Sequence, residues 1–219
     1  MERVHWAYVT VHSPCQLANP VLVHEKSYID GKWVNALNGQ TQPVYNKATN
    51  EVLAEVVDQG RQDTVMAIKA AEEAFQTWSK TTPHERHKYL LALFAKIQAK
   101  AEDFDLLIVA ENGKAISDAR GEVNYANSYV QWFAEEALRI QGYTTPSPNP
   151  SNRTTVIRQP VGVAALIAPW NFPLAMITRK VAPALAAGCT TVVKAPHEAP
   201  LSALGLSDLA ELAGMPNVE

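Results

Sequence analysis

Two short apolar runs, Val161 to Ala168 and Thr190 to Lys194, flank a segment of helix length. No other feature constrains the fold as much. A run as apolar as Val161 to Ala168 is what a strand covered on both faces must be. A helical pattern then starts at Asn171-Phe172-Pro173, runs to about Ala187 and stops at Gly188. After the second run, Ser202 to Ala213 reads as another helix, ended by Gly214. Strand–helix–strand–helix predicts an α/β protein with parallel strands and right-handed crossovers. The first run also invites a membrane test, because no charge lies between Arg158 and Arg179 and that length could span a bilayer. Pro160, Pro169, Pro173, Gln159 and Asn171 fall inside it. In lipid they would leave backbone and amide groups unsatisfied. The reading is a buried strand, a turn and a helix start, with no membrane partner.

Upstream the pattern is mostly helical. Asp63 to Trp78 places Val65, Ile68, Ala71, Phe75 and Trp78 on one stripe. Thr82-Pro83-His84-Glu85 is a capping box with proline at the first helical position. It opens a helix to about Lys100, with Leu90, Leu93, Phe94 and Ile97 inward. Glu102 to Glu111 is a third helix, stopped near Gly113. Ser117 to Gln141 is a fourth, with Tyr125, Tyr129, Trp132 and Phe133 as core packing and Gly142 as its cap. Asp103, Asp105 and Glu111 read as charges on an exposed face. Before these helices, Tyr28 to Trp33 and Val44-Tyr45 flank the turn-rich stretch Asn35 to Gln42, and Glu51 to Val57 reads as a further strand. Residues 1–26 show no clear period and read as a loosely held arm. Residues 143–152, with Pro146, Pro148 and Pro150, read as a linker or exposed turn, and Thr154 to Arg158 alternates as a strand.

Charge and cysteines exclude several classes. A net charge of -3 over 219 residues argues against a nucleic-acid partner, which needs a basic surface to displace phosphate counterions. Cys15 and Cys189 make neither a metal spacing nor a disulfide framework, which suits a reducing compartment. His84 and His87 sit three apart with no evident third ligand, so a solvated helix face is expected rather than a metal. The N-terminus has no signal-like apolar stretch, and Arg3 is the one arginine before Lys26. A cytoplasmic location is expected, with a mitochondrial one left open.

Ligands of open parallel sheets bind at the carboxyl ends of strands. The first run leads into Pro169-Trp170-Asn171-Phe172-Pro173, and the second into Lys194-Ala195-Pro196-His197. One crevice could therefore hold an amide, able to steady an oxyanion, and an ammonium, able to hold ribose hydroxyls or phosphate. Neither G-x-G-x-x-G nor G-x-x-x-x-G-K-[ST] is present. Taken alone, Asn171 is most simply a helix N-cap, Arg179 a solvated or paired surface group, and Lys194 a surface lysine.

Pro169-Trp170-Asn171-Phe172-Pro173 resembles the P-W-N-F-P signature of aldehyde dehydrogenases. The resemblance continues through Arg158 to Val163, Ala182 to Thr190, Glu111-Asn112-Gly113-Lys114, Gly121-Glu122-Val123 and Tyr45 to Thr49. It covers roughly Glu25 to Glu219. Ala175-Met176-Ile177-Thr178-Arg179-Lys180 resembles the succinate-semialdehyde branch.

The resemblance implies an N-terminal helical and strand layer over residues 27–142 and a linker with an oligomerisation strand over 143–160. It implies the first half of a Rossmann-like NAD(P)-binding unit over 161–219. Asn171 would match the oxyanion-stabilising asparagine, and Trp170 would line the nicotinamide cleft. Lys194 would contact the adenosine ribose, and Arg179 would hold the substrate's distal carboxylate. The implied cofactor is NAD or NADP, the substrate a small aldehyde, succinate semialdehyde foremost, and the assembly a homo-oligomer. His197 departs from the glutamate of NAD-preferring members, which implies tolerance of NADP. Ala195-Pro196 reverses the usual order. The family's catalytic cysteine and general-base glutamate are expected beyond the end of this chain. The alternative function is a non-catalytic subunit that pairs with intact enzyme.

Overall fold

The computed structural model describes residues 22–216. Cys15 and most of the expected N-terminal arm lie outside them. Four strands come first: β1 (Ser27–Ile29), β2 (Lys32–Val34), β3 (Thr41–Tyr45) and β4 (Val52–Val57). Four helices follow: α1 (Arg61–Trp78), α2 (Pro83–Ala99), α3 (Ala101–Asn112) and α4 (Ile116–Ala137). Then come β5 (Tyr143–Pro146), β6 (Arg153–Val156), β7 (Val163–Ile167), α5 (Ala175–Ala186), β8 (Thr190–Lys194) and α6 (Leu201–Leu212).

The turn-rich stretch from Asn35 to Gln42 does not join a hairpin. β1 pairs with β2 across Asp30-Gly31, and β3 pairs with β4. Both Asp30 and Gly31 have positive φ, 52° and 69°, as a primed two-residue turn requires. Residues 143–152 are likewise not a plain linker, because β5 and β6 pair antiparallel there. Gly142 is not the cap of α4, which ends at Ala137 with Leu138 as its C-cap. Gly142 instead lets the hairpin close: a Cβ there would lie 2.2 Å from the Val156 carbonyl oxygen.

The capping box of α2 forms as the sequence predicts, with Thr82 and Glu85 bonding reciprocally. The helical core is built on Trp78, Leu90, Ile97, Phe104, Leu107 and Ile108, all fully buried. Two expected stripes are corrected. Val65 and Ile68 on α1 are exposed, and so are Tyr125 and Trp132 on α4. The buried stripe of α4 is Ala119, Val123, Ala126, Val130, Ala134 and Ala137. These small side chains let α4 lie close against α5, α2 and α3. The larger aromatics would hold the helices apart and sit outside.

β7 and β8 pair in parallel from Val163↔Thr190 to Ile167↔Lys194. The crossover helix α5 packs on both strands. β8 is tied to the helical layer, where Thr190 Oγ1 donates to the Ala71 carbonyl of α1 at 2.8 Å. Arg86 ties the end of α5 to the start of α2. Its Nε donates to Ala186 O at 2.9 Å and its Nη1 to Thr81 O at 2.5 Å. Burial lowers the Arg86 pKa from its usual value. β7 is less covered than its composition predicts, with Ala165 exposed and Ile167 67% exposed. An apolar parallel strand is covered only with neighbours on both sides, and among the described residues β7 pairs with β8 alone. No helix of the described residues is long and apolar enough to cross a membrane.

Candidate active site

The site begins where α3 stops. Gly113 is the left-handed C-cap, φ 78°, and its N–H donates to Val109 O. A Cβ there would lie 2.9 Å from Lys47 Cβ, so both conformation and space call for glycine. This corner presents Asn112 and Lys114 to the segment after β7. Asn112 Nδ2 donates to the Trp170 carbonyl at 2.9 Å. Lys114 Nζ donates to the Asn171 carbonyl at 3.0 Å and lies 3.8 Å from the centre of the Phe172 ring. The same ammonium pairs with Glu122 Oε2 at 2.5 Å.

Glu122 is fully buried on α4, and its other oxygen faces the start of α5. Oε1 accepts Leu174 N at 3.0 Å and Ala175 N at 3.3 Å. A carboxylate there satisfies free amides and meets the positive end of the helix dipole. Asn171 is therefore not the helix cap. The N-cap position is Leu174, and α5 begins at Ala175 rather than at Asn171. Asn171 and Trp170 stay exposed in the turn after β7.

Glu111 does the same for α6. Its Oε2 accepts Leu201 N at 2.8 Å, and its Oε1 accepts Ser202 N at 2.9 Å and the Ser202 hydroxyl. Burial pushes its carboxyl up to about 7, against the opposing hydrogen bonds from Ser202 and Leu201. The expectation of an exposed acidic face on α3 is thus corrected: Glu111 and Asp105 are buried. Asp105 lies 3.7 Å from Arg120, and burial raises its pKa. Asp103 pairs with Lys100 at 3.2 Å. The signal was present in the spacing. Glu111 falls seven residues after Phe104 and four after Leu107, on the buried stripe of α3.

Lys194 ends β8 opposite Ile167, and His197 follows in the loop before α6. Both are exposed. Both line a cleft of about 1170 Å³, together with Pro196, Ile68 and Phe75 of α1 and Leu204 of α6. Trp170, Asn171 and Arg179 do not line that cleft, so of the five expected residues the structure brings Lys194 and His197 together there and leaves the other three outside it. Arg179 is exposed on α5, with its guanidinium 5.5 Å from the centre of the Tyr129 ring of α4. Its Nη1 lies 3.7 Å from Met176 Sδ. The Tyr129 hydroxyl donates to that of Tyr125, and this bond, first of all, holds the Tyr129 phenol above its usual pKa. Sequence reasoning assigned both tyrosines to the core and missed this contact.

Cys189 is buried, 5% exposed, just before β8. It sits at the far end of that strand from Lys194. Five residues of parallel strand span about 16 Å, which keeps its thiol away from Asn171. His87 faces Glu135 at 3.3 Å. Among the described residues no group of three or more His, Cys, Asp or Glu is placed to hold a metal.

The chain matches the aldehyde dehydrogenase family over residues 33–218. It is 50% identical over 191 residues to the NADP(+) succinate-semialdehyde dehydrogenase 1 of Schizosaccharomyces pombe, covering 87% of this chain and 38% of that protein. It is 47% identical over 201 residues to the glutarate-semialdehyde dehydrogenase of Pseudomonas aeruginosa, covering 92% and 42%. The crystal structure of succinate-semialdehyde dehydrogenase from Burkholderia pseudomallei superposes with a TM-score of 0.90 at 43% identity, covering 92% of this chain and 42% of that one. The chain spans less than half the length of these relatives. Sequence match and superposition agree: this chain belongs to the aldehyde dehydrogenase family.

Proposed function

We propose that this chain supplies the oxyanion amide, the substrate anchor and part of the cofactor cleft of an NAD(P)-dependent aldehyde dehydrogenase. Its substrate is an aldehyde with a distal carboxylate, succinate semialdehyde first. The observation that carries this reading is the division of labour between Glu122 and Asn171. Glu122 caps α5, and Asn171 stays outside the helix, exposed in the turn after a parallel strand.

A thiolate that attacks an aldehyde carbonyl puts negative charge on its oxygen. The Asn171 Nδ2–H group donates to that oxygen, and its fixed backbone keeps the donor in place before charge develops. A nicotinamide cofactor held in the cleft would supply the hydride acceptor for this oxidation, and hydrolysis of the thioester would release the acid. Lys194 and His197 suit such a cofactor, because both present nitrogen donors at the lip of the cleft. Trp170, beside Asn171 and exposed, would stand next to the nicotinamide. Arg179 holds the distal carboxylate, which its planar fork fits. Succinate and glutarate semialdehydes, named for the relatives above, both end in such a carboxylate. The attacking thiolate comes from elsewhere than Cys189. In the assembled enzyme the β5–β6 hairpin serves subunit contact.

NADPH and NADH titrated against the chain and against Lys194→Ala test the cofactor part. Binding that Lys194→Ala leaves intact removes Lys194 from the site. Cofactor reduction on succinate semialdehyde tests the reaction. Turnover by the 219-residue chain alone would place the nucleophile within it and overturn this division of roles.

A further inference from the structure

The corner after α3 touches the strand-end turn at successive backbone carbonyls. Asn112 takes that of Trp170 and Lys114 that of Asn171. The contacts join residues 58 and 57 positions apart, so they are tertiary and not a by-product of the local turn. Lys114 also rests on the Phe172 ring, and Glu122 fixes its ammonium from below at 2.5 Å. Glu122 in turn holds the amides of Leu174 and Ala175. Every residue from Trp170 to Ala175 except Pro173 is therefore held by this one group of side chains. Gly113 makes the corner possible, since its φ of 78° and the nearby Lys47 exclude a side chain.

We propose that Lys114, with Asn112, is a positioning residue that sets the place of Asn171 and so the aim of its amide. Its catalytic meaning rests on the reading of Asn171 given above. The positioning itself does not. A bare counterion for buried Glu122 would need no contact with the Asn171 carbonyl or the Phe172 ring. Lys114 makes both, and a charge-assisted bond to a carbonyl is directional.

The test is made on the full 219-residue chain by ¹⁵N–¹H spectroscopy. The Asn171 side-chain amide and the Trp170 indole are assigned through Asn171→Ala and Trp170→Phe. Lys114→Met is expected to displace both signals while the backbone amides of α6 stay in place, and Lys114→Arg to return them part of the way. Asn171 and Trp170 signals that stay put in Lys114→Met, or that move no more than those of α6, would overturn the proposal. Should Lys114→Met fail to fold, Asn112→Ala removes only the bond to the Trp170 carbonyl. A displaced Trp170 indole then supports the clamp and an unmoved one overturns it. The spectrum reads the place of Asn171 and not turnover. Loss of the oxyanion reading would show instead, in a catalytically complete enzyme that carries this segment, as cofactor reduction that Asn171→Ala does not slow.

Discussion

Glu122 accepts the backbone amide of Leu174 at 3.0 Å across 52 residues of sequence. That bond makes a buried carboxylate the cap of α5 and leaves Asn171 outside the helix. The partner charge is Lys114, whose side chain is 13% exposed against 0% for Glu122. Removing one member of a buried pair costs about 3–5 kcal/mol, because the other charge is left without compensation. Glu122→Ala is expected to lower stability by that order in a urea titration. A loss under about 1 kcal/mol would place the pair with surface ion pairs instead.

Glu111 gives a pH dependence of known sign. Its pKa is about 7 in the folded chain against 4.5 in the unfolded one. The folded state therefore binds more protons between those values, and stability falls as pH rises through that window. Below about 4.5 the group contributes no difference, and above about 7 the penalty is constant. Glu111→Gln keeps an acceptor for the α6 amides and cannot ionise. The stability difference between this variant and the wild type should grow from pH 4.5 to 7 and then level off. A difference that is flat across the window would mean that the three hydrogen bonds outweigh burial.

Gly113→Ala tests the corner. Its φ of 78° lies in the left-handed region, which costs a residue with a Cβ about 1–2 kcal/mol. The contact with Lys47 Cβ at 2.9 Å adds to that cost. The thermal midpoint should fall accordingly. An unchanged midpoint would show that the loop bearing Lys47 gives way freely.

These carboxylates also show where sequence reasoning reached and where it stopped. Most of the order of strands and helices followed from local signals, the apolar runs of β7 and β8 and the caps at Thr82 and Gly113, but β5 lay in a stretch that read as a linker. Asn171, Trp170, Lys194, His197 and Arg179 were legible as residues. That Lys194 and His197 share a cleft which the other three do not line was not, since it depends on tertiary packing. Glu111 sat on its helix's buried stripe, yet a glutamate there reads as exposed unless its partner is known. That partner, the start of α6, lies 90 residues away. Tyr125 and Trp132 failed for the converse reason. Aromatics read as core, but the α4–α5 contact is close enough to take only small side chains.

The loop at His197 carries the cofactor prediction. A carboxylate near the adenosine ribose would repel a 2′-phosphate, and imidazole would not. Glu198 follows directly, so the loop is not free of acid and the position of the charge matters. His197→Glu is expected to weaken NADPH binding relative to NADH by about tenfold, or 1.4 kcal/mol. An unchanged ratio would take His197 away from the 2′ position.

Arg179 sets the last expectation, on substrate choice. The guanidinium is exposed and lies over Tyr129, which limits its freedom of movement. A hydrogen bond to a charged group contributes about 1.5–3 kcal/mol, and a fork that engages both carboxylate oxygens adds direction. In enzyme that turns over, Arg179→Gln should raise KM for succinate semialdehyde at least tenfold while leaving that for butanal nearly unchanged. The comparison matters because damage to the oxyanion amide or the cofactor cleft would slow both aldehydes alike. A uniform loss would assign Arg179 to the packing of α5 on α4. A selective one would assign it to the distal carboxylate, with Tyr129 as the surface that keeps it in reach.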